Sequence, residues 1–157
     1  MACAMAALLL HGCGRDQPVP AADVRTLMLE QVQPVAQTYW DSVQYVSDSS
    51  GSHEIFPRND AEWQRVETAA KRLGALGEAL KTPAYANGRN ADWQDFAQGL
   101  IDVSKLAAQA AAEKNRDRIF EVGGTIYNVC AACHQTYLPK TATPPPPPSG
   151  ANAATAR

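Results

Sequence analysis

Cysteine, histidine and methionine are scarce in this chain of 157 residues, which has four, three and three of them. It contains no apolar run of about 18 residues or more, so the sequence predicts no membrane-spanning helix. It contains no block of Lys or Arg, and a net charge of −2 argues against nucleic acid as a partner. No Ser/His/Asp arrangement, phosphate-binding glycine loop or functional carboxylate pair is recognisable, so we expect no enzyme activity.

Two of the four cysteines stand in the run Cys130-Ala131-Ala132-Cys133-His134. The pattern C-x-x-C-H is the attachment signature of c-type haem. Its two thiols add across the haem vinyl groups, and the adjacent imidazole becomes an axial iron ligand. On a helix, cysteines three positions apart face the same side. The run therefore predicts one covalent haem c per chain, with His134 bound to the metal.

Other interpretations of the same run use fewer of its residues. A thioredoxin-like dithiol needs a strand before the C-x-x-C, and we predict no strand in the chain. A zinc site needs four ligands, and only three cluster here. A disulfide between Cys130 and Cys133 would leave His134 without a role. Haem attachment is the interpretation that uses all three side chains.

Residues 1–22 differ in composition from the rest of the chain. Residues 1–10 are small and apolar, Cys13 follows, and a polar, proline-rich stretch leads up to residue 22. This order is typical of the end of a secretory signal and resembles a bacterial lipoprotein signal, in which the cysteine is lipidated. We expect a periplasmic location and a lipid anchor at Cys13. Cleavage by ordinary signal peptidase, or an apolar tail without an export role, is the alternative.

Residues 140–157 are also unlike a folded domain. They contain an unbroken run of five prolines at 144–148, which adopts polyproline II, and then small and polar residues. We expect this tail to be disordered, with partner docking as the alternative role. The predicted folded domain therefore covers residues 23–139.

Apolar residues within this domain recur at steps of three and four, the spacing of amphipathic helices. Pro34 should kink the first helix, and Asn59 with Glu62 forms a capping box for the second. Asn90 is expected to cap the third helix, and Pro139 to end the fourth. We expect helices at about 23–46, 60–80, 91–113 and 116–137, with loops at 47–58 and 81–89 and a turn at 114–115.

The predicted packing follows from these spacings and from the short connections. Three/four alternation suits nearly parallel helix axes, and short loops make consecutive helices antiparallel. Cys130 and Cys133 lie on the same stripe as the core residues of the last helix. The expected fold is all-α, an antiparallel four-helix bundle with the haem attached to the last helix. Trp63 and Trp93 are expected in its core.

This arrangement resembles the class II cytochromes c, the family of cytochrome c′ and its low-spin, methionine-ligated relatives. The resemblance covers about residues 23–137 and rests on C-x-x-C-H in the last helix, Tyr137 three residues after His134, and Arg25 and Met28 in the first helix. It implies that His134 is the proximal ligand, that the first helix supplies the distal residue, and that Arg25 pairs with a haem propionate. Attachment outside the cytoplasm and a homodimer through the first helices are also implied.

Met28 is the candidate for the second axial ligand, because Met1 and Met5 lie in the predicted signal. A His/Met pair saturates the iron and suits outer-sphere electron transfer. We therefore predict one-electron transfer between redox partner proteins, with His134 and Met28 as metal ligands. Alternatively, Met28 is a core residue, His53 is the ligand, or five-coordinate iron binds NO or CO as in cytochrome c′.

Other aromatic residues are expected near the cofactor. Tyr127 lies one turn before Cys130 and two turns before His134, so we expect it to contact the haem. Tyr39 and Trp40, in the first helix, are expected to flank the pocket.

Overall fold

The computed structural model describes residues 23–138, which are mostly helical, as predicted. The predicted signal segment with Cys13 and the proline-rich tail lie outside the described residues. Within 23–138, no helix combines the length and apolarity that a membrane crossing requires. The first helix, α1, consists of three contiguous segments, Val24–Leu27, Met28–Val32 and Gln33–Trp40; the other elements are β1 (Gln44–Asp48), β2 (Gly51–Ile55), α2 (Asp60–Lys81), α3 (Pro83–Ala86), α4 (Ala91–Ala112) and α5 (Arg116–Tyr137).

The middle segment of α1 is a π-helical turn that ends just before Pro34. Proline has no N–H, so Pro34 cannot donate to the carbonyl of Glu30, four residues earlier. The amide of Gln33 donates to the carbonyl of Met28, five residues earlier, which is the π-helical pattern. At the place where the sequence predicts a kink, the structure thus has a π turn, which ends at Val32, two residues before Pro34.

This π turn changes which side of α1 faces the core. An extra residue in one turn rotates the preceding helical face by about 100°. Leu27 and Val32 are accordingly both buried although they are five positions apart. Leu29, three positions before Val32, is 54% exposed. Regular α-helical steps back from Val32 lead to Met28, so the apolar spacing of the sequence does not predict the burial of Leu27.

Residues 44–55 form an antiparallel β-hairpin, so the predictions of a helix to Val46, a loop at 47–58 and no strand are wrong. Asp48 pairs with Gly51, which leaves a two-residue connection between the strands. Gly51 has φ +122°, a conformation that glycine adopts without strain. The carboxylate of Asp48 accepts a 2.8 Å hydrogen bond from the amide of Ser50. These turn residues reverse the chain.

Side chains of α5 hold the hairpin in place. The Tyr45 hydroxyl donates a 2.8 Å hydrogen bond to Asp117, and the Tyr45 ring packs edge-to-face on Phe120 with 5.1 Å between centroids. Arg116 forms a 3.0 Å ion pair with Glu54 of β2. Exposed ion pairs contribute little free energy, so the aromatic contact is the larger stabilising interaction.

The predicted capping box at the start of α2 is confirmed. The Asn59 side-chain oxygen accepts a 3.0 Å hydrogen bond from the Glu62 amide. The Glu62 carboxylate in turn accepts from the Asn59 side-chain amide at 2.8 Å and from the Arg58 backbone amide at 2.7 Å. As predicted, Trp63 is buried, and the apolar positions that follow it at steps of three and four, from Val66 to Leu80, are buried with it. Periodicity and capping therefore predicted this helix closely.

Contacts at both ends show that α2 and α4 are antiparallel. The indole N–H of Trp93, at the start of α4, donates a 2.7 Å hydrogen bond to the carbonyl of Leu80, at the end of α2. Beyond the other end of α4, Lys114 forms a 2.7 Å ion pair with Asp60, the first residue of α2. As predicted, Trp93 is a buried core residue.

The remaining neighbours are antiparallel as well. Trp93, early in α4, packs edge-to-face on Tyr137, the last residue of α5, with 5.0 Å between centroids. The indole N–H of Trp40, at the end of α1, donates a 2.9 Å hydrogen bond to the carbonyl of Gly123 in α5. Arg72 of α2 donates to Gln31 of α1 at 2.7 Å. Helix α1 therefore contacts both α2 and α5.

We expect Gly77→Ala to destabilise the protein by about 1–3 kcal/mol, because the added methyl group is too close to α4. It would lie 2.8 Å from the Ile101 side chain and 3.2 Å from the carbonyl oxygen of Ala97. Gly124→Ala, on an exposed part of α5 with no atom within 4 Å, should stabilise it by about 1 kcal/mol through helix propensity. Urea unfolding of both variants measures the difference. Equal free-energy changes would contradict the close α2–α4 contact.

Candidate functional site

Cys130, Cys133 and His134 line one cavity of about 50 Å³. The other walls of the cavity are apolar; they include Met28 and Val32 from α1, Trp93, Phe96 and Leu100 from α4, and Val129 from α5. The cavity thus presents two thiols and one imidazole to a hydrocarbon, aromatic and thioether surface. Sites that bind small molecules and cofactors share this combination of apolar walls and a few polar groups.

Helix α5 places the three motif residues on one side. Positions i, i+3 and i+4 of an α-helix share a face, and Cys130, Cys133 and His134 have this spacing. Ile119 and Ile126, earlier on the same helix, are buried in the core. The apolar stripe of α5 therefore continues from the core into the cavity wall.

Gly123 allows α1 to approach α5 closely. A methyl group at this position would lie 3.3 Å from the Trp40 indole, whose N–H donates a 2.9 Å hydrogen bond to the Gly123 carbonyl. This contact holds the C-terminal end of α1 against α5, two turns before Cys130. Because the helices are antiparallel, Met28, near the N-terminal end of α1, reaches the cavity beside His134.

The structure brings together four of the six predicted site residues. Met28 is half-buried and lines the cavity with Cys130, Cys133 and His134. Arg25 is exposed, because it lies two positions before the buried Leu27 and so on nearly the opposite side of the helix, and it does not line the cavity. Tyr127 is half-buried and is likewise not part of the cavity wall.

Three further aromatic or imidazole candidates also lie outside the cavity wall. The alternative ligand His53 is exposed on strand β2. Tyr39 is buried, and both Tyr39 and Trp40 contact α5 near Gly123 without lining the cavity.

Burial shifts the pKa of each of the three motif side chains toward its uncharged form. It raises the pKa of Cys130 to about 11, with a smaller contribution from the neighbouring Cys133 thiol. Burial also raises the pKa of Cys133 to about 11, and the positive charge of Arg89 opposes this shift. The pKa of His134 is lowered, again by burial. The thiols are thus protonated and the imidazole is neutral, the form in which histidine binds metals.

His134 has an unmatched polar atom. Its Nδ1 is buried and has no hydrogen-bond partner among the described residues. A buried polar atom without a partner costs about 1–3 kcal/mol. The imidazole ring would gain a partner if a metal centre or another polar group entered the cavity.

An aromatic cluster fixes the end of α5 that carries the motif. The Tyr137 hydroxyl donates to the side-chain oxygen of Asn90, and the Tyr137 ring packs on Trp93. Asn90 is at the N-cap position of α4, as predicted, but its side chain accepts no capping bond from the helix. Its amide donates to Asp92 at 3.1 Å. Tyr137 therefore uses Asn90 to join α5 to the start of α4.

Two alternative interpretations of the motif receive no support from this geometry. Within 23–138, no group of three or more His, Cys, Asp and Glu side chains is arranged to hold a metal ion by itself. A reactive dithiol usually has a lowered thiol pKa, whereas burial raises the pKa of both Cys130 and Cys133. The β-hairpin precedes α2 rather than the motif, so it does not supply the strand of a thioredoxin-like site.

Arg89 is the residue at this site for which the sequence predicted no role. Its guanidinium carbon lies 3.9 Å from the centroid of the Trp93 ring and 5.8 Å from that of Tyr137. Because no periodic spacing connects this loop residue with Cys133, only the folded chain shows their proximity. A guanidinium over the face of an aromatic ring is a favourable cation–π contact.

We expect the thiols of Cys130 and Cys133 in the haem-free folded protein to react with iodoacetamide about 100 times more slowly at pH 8 than the same two thiols in the denatured protein. Burial raises the pKa of both thiols from the ordinary value of 9.0 to about 11, and only the thiolate is the nucleophile. The rate should rise about tenfold per pH unit until about pH 11. Mass spectrometry of timed samples measures it. Equal rates in native and denaturing buffer would show that these thiols are not buried.

Comparison with known proteins adds no relative to this description. No family model, no curated protein and no solved structure matches the chain. The chemistry of the site accordingly follows from its own groups: two buried thiols, a neutral imidazole and a thioether around one apolar cavity.

Proposed function

We propose that this protein is a monohaem c-type cytochrome that transfers single electrons outside the cytoplasm. In this proposal α1, α2, α4 and α5 form an antiparallel four-helix bundle like that of the class II cytochromes c, with the haem attached to α5. The observation that carries the proposal is the shared cavity: both cysteines and the histidine of a C-x-x-C-H run line it together with Met28.

The chemistry of the cavity fits covalent attachment of haem. Each thiol would add across a vinyl group, with the sulfur bonding to one vinyl carbon and the hydrogen ending on the other. The protonated thiols of Cys130 and Cys133 suit this addition, which consumes no oxidant. A macrocycle needs more room than about 50 Å³, so attachment requires the walls from α1 and α4 to move apart.

His134 and Met28 are the residues that would hold the iron. When bound, haem supplies a metal that changes between the ferric and ferrous states by one electron. The neutral imidazole of His134 has an unpaired nitrogen available, and the Met28 thioether lies at the same cavity. Trp93, Phe96 and Leu100 surround the cavity with apolar surface, which limits the access of water and of exogenous ligands.

The proposal includes a cellular context. Residues 1–22 would direct export to the periplasm, and Cys13 would carry a lipid anchor. The partners would be proteins that donate and accept single electrons, and two copies of the chain would pair through their first helices. The signal-like composition of residues 1–22 supports the export part of the proposal.

Protein produced in a host with c-type haem attachment machinery should be red and should retain one haem after denaturation. Replacement of Cys130 and Cys133 by Ser should abolish covalent retention, because no thioether can form. Cys13→Ser, outside the motif, is the matched control and should retain the haem. Intact-protein mass and the absorption spectrum measure attachment. A colourless wild-type protein with the mass of the bare polypeptide would contradict the proposal.

Met28→Ala should convert a low-spin spectrum with a sharp, strong α band in the reduced state into a high-spin one with a broad, weak band. The reason is loss of the sixth ligand. Leu29→Ala is the matched control, because Leu29 is the next residue of the same π turn and is 54% exposed. Circular dichroism verifies that both variants remain helical.

The same spectra distinguish the alternatives. A low-spin spectrum that survives Met28→Ala but is lost in His53→Ala would assign ligation to His53. A high-spin wild-type spectrum that shifts on addition of CO would replace electron transfer by gas binding as the proposed function.

A further inference from the structure

Arg89 does not line the cavity itself, but two contacts hold it against Trp93, a residue of the cavity wall. It follows Gly88, whose φ of +76° turns the chain between α3 and α4. Its Nε donates a 2.8 Å hydrogen bond to the carbonyl of Tyr85. Its guanidinium stacks on the ring of Trp93 at 3.9 Å. An arginine fixed by a backbone carbonyl and an aromatic face has few accessible rotamers, so its charge stays in one place.

This charge lies beside the motif. Trp93, on which Arg89 stacks, lines the cavity together with Cys133 and His134. Tyr137, one turn after His134, packs edge-to-face on the same Trp93, and its ring centroid lies 5.8 Å from the guanidinium carbon of Arg89. Arg89 therefore lies next to the end of α5 that carries Cys133 and His134, separated from the cavity by the Trp93 ring.

The other charged side chains in this part of the described fold do not stack on the Trp93 ring. Asp92 accepts a 3.1 Å hydrogen bond from the side-chain amide of Asn90 and does not line the cavity. Lys81 donates a 2.6 Å hydrogen bond to Gln98, and Arg25 is exposed on α1 outside the cavity wall.

We infer that the positive charge of Arg89, held on the Trp93 ring, raises the reduction potential of the redox centre. In the proposed function this centre is bound at Cys130, Cys133 and His134. This inference rests on the proposed function. Oxidation adds a positive charge to the centre, and a fixed cation nearby makes that charge more costly. Arg89 thus favours the reduced state. Because Arg89 is exposed, solvent and salt reduce the effect without removing it.

The test is a redox titration of the haem-loaded protein and its Arg89→Gln and Arg89→Lys variants at low salt. Arg89→Gln should lower the midpoint potential, so that the ratio of reduced to oxidised protein at a fixed applied potential falls roughly threefold. This is the effect expected from removing one unit charge that solvent and salt partly screen. Arg89→Lys retains the charge and should restore most of the wild-type potential. Arg65→Gln, an exposed arginine lining a separate groove between α1 and α2, is the matched control and should leave the potential unchanged.

Two further measurements distinguish an effect of the charge of Arg89 from a role of Arg89 in supporting the loop. The spin state, read from the absorption spectrum, should be the same in all four proteins, because Arg89 does not ligate the metal. Raising the ionic strength should shrink the difference between wild type and Arg89→Gln. Equal potential shifts for Arg89→Gln and Arg89→Lys, insensitive to salt, would show that Arg89 only supports the loop and would overturn the inference.

The outcomes also distinguish this inference from the proposed function. A colourless wild-type protein would reject the proposed function and, with it, the inference. A red wild-type protein whose potential is unchanged in Arg89→Gln would reject the role of Arg89 alone. A larger shift with Arg25→Gln than with Arg89→Gln would assign the controlling charge to α1 and would also overturn the inference.

Discussion

The close contact between α1 and α5 at Gly123 is the constraint on which the candidate site depends. The Trp40 indole occupies the space that a side chain at Gly123 would need, and its N–H bonds to the Gly123 carbonyl at 2.9 Å. Since α1 and α5 are antiparallel, fixing this end of α1 places its opposite end against the last two turns of α5. Met28 and His134 therefore line the same cavity although they are distant in sequence.

Helix α1 changes its helical phase in the segment that meets the cavity. Pro34 supplies no backbone donor, and the preceding segment adopts a π turn in which the Gln33 amide bonds to the Met28 carbonyl. The extra residue turns Leu27 inward and leaves Leu29 exposed. π turns interrupt the regular bonding of a helix and frequently occur at functional sites. In this chain the π turn occupies the segment that carries the proposed second ligand.

The chemistry of the cavity is that of polar groups kept uncharged by burial. Both thiols have a raised pKa, the imidazole has a lowered one, and a buried nitrogen of His134 lacks a partner. The nitrogen without a partner costs folding free energy in the bare chain, because its hydrogen bond to water is lost without replacement. Covalent attachment of an apolar macrocycle with a central metal would remove the ionisable thiol protons and provide the imidazole with a partner. The buried group that lowers the stability of the bare chain is thus one that the proposed cofactor would use. Arg89 carries a positive charge next to Trp93 in the cavity wall.

The sequence by itself determined the helices whose contacts are repetitive and local. Three/four spacing located α2, α4 and α5 closely, and the Asn59–Glu62 capping box identified the start of α2, because these signals act within a few residues. The i, i+3, i+4 spacing of Cys130, Cys133 and His134 likewise placed all three on one helical face.

Only the tertiary structure decided the features that depend on an inserted residue or on distant partners. The hairpin at residues 44–55 was missed because Val43 and Val46 also fit a helical period, whereas the turn at Gly51 and contacts with α5 favour strands. The phase of α1 changed because one π turn shifts every earlier position. Arg89 reaches the site from a loop through Trp93, and Arg25 does not, because stacking on a ring across the fold leaves no periodic signal in the chain.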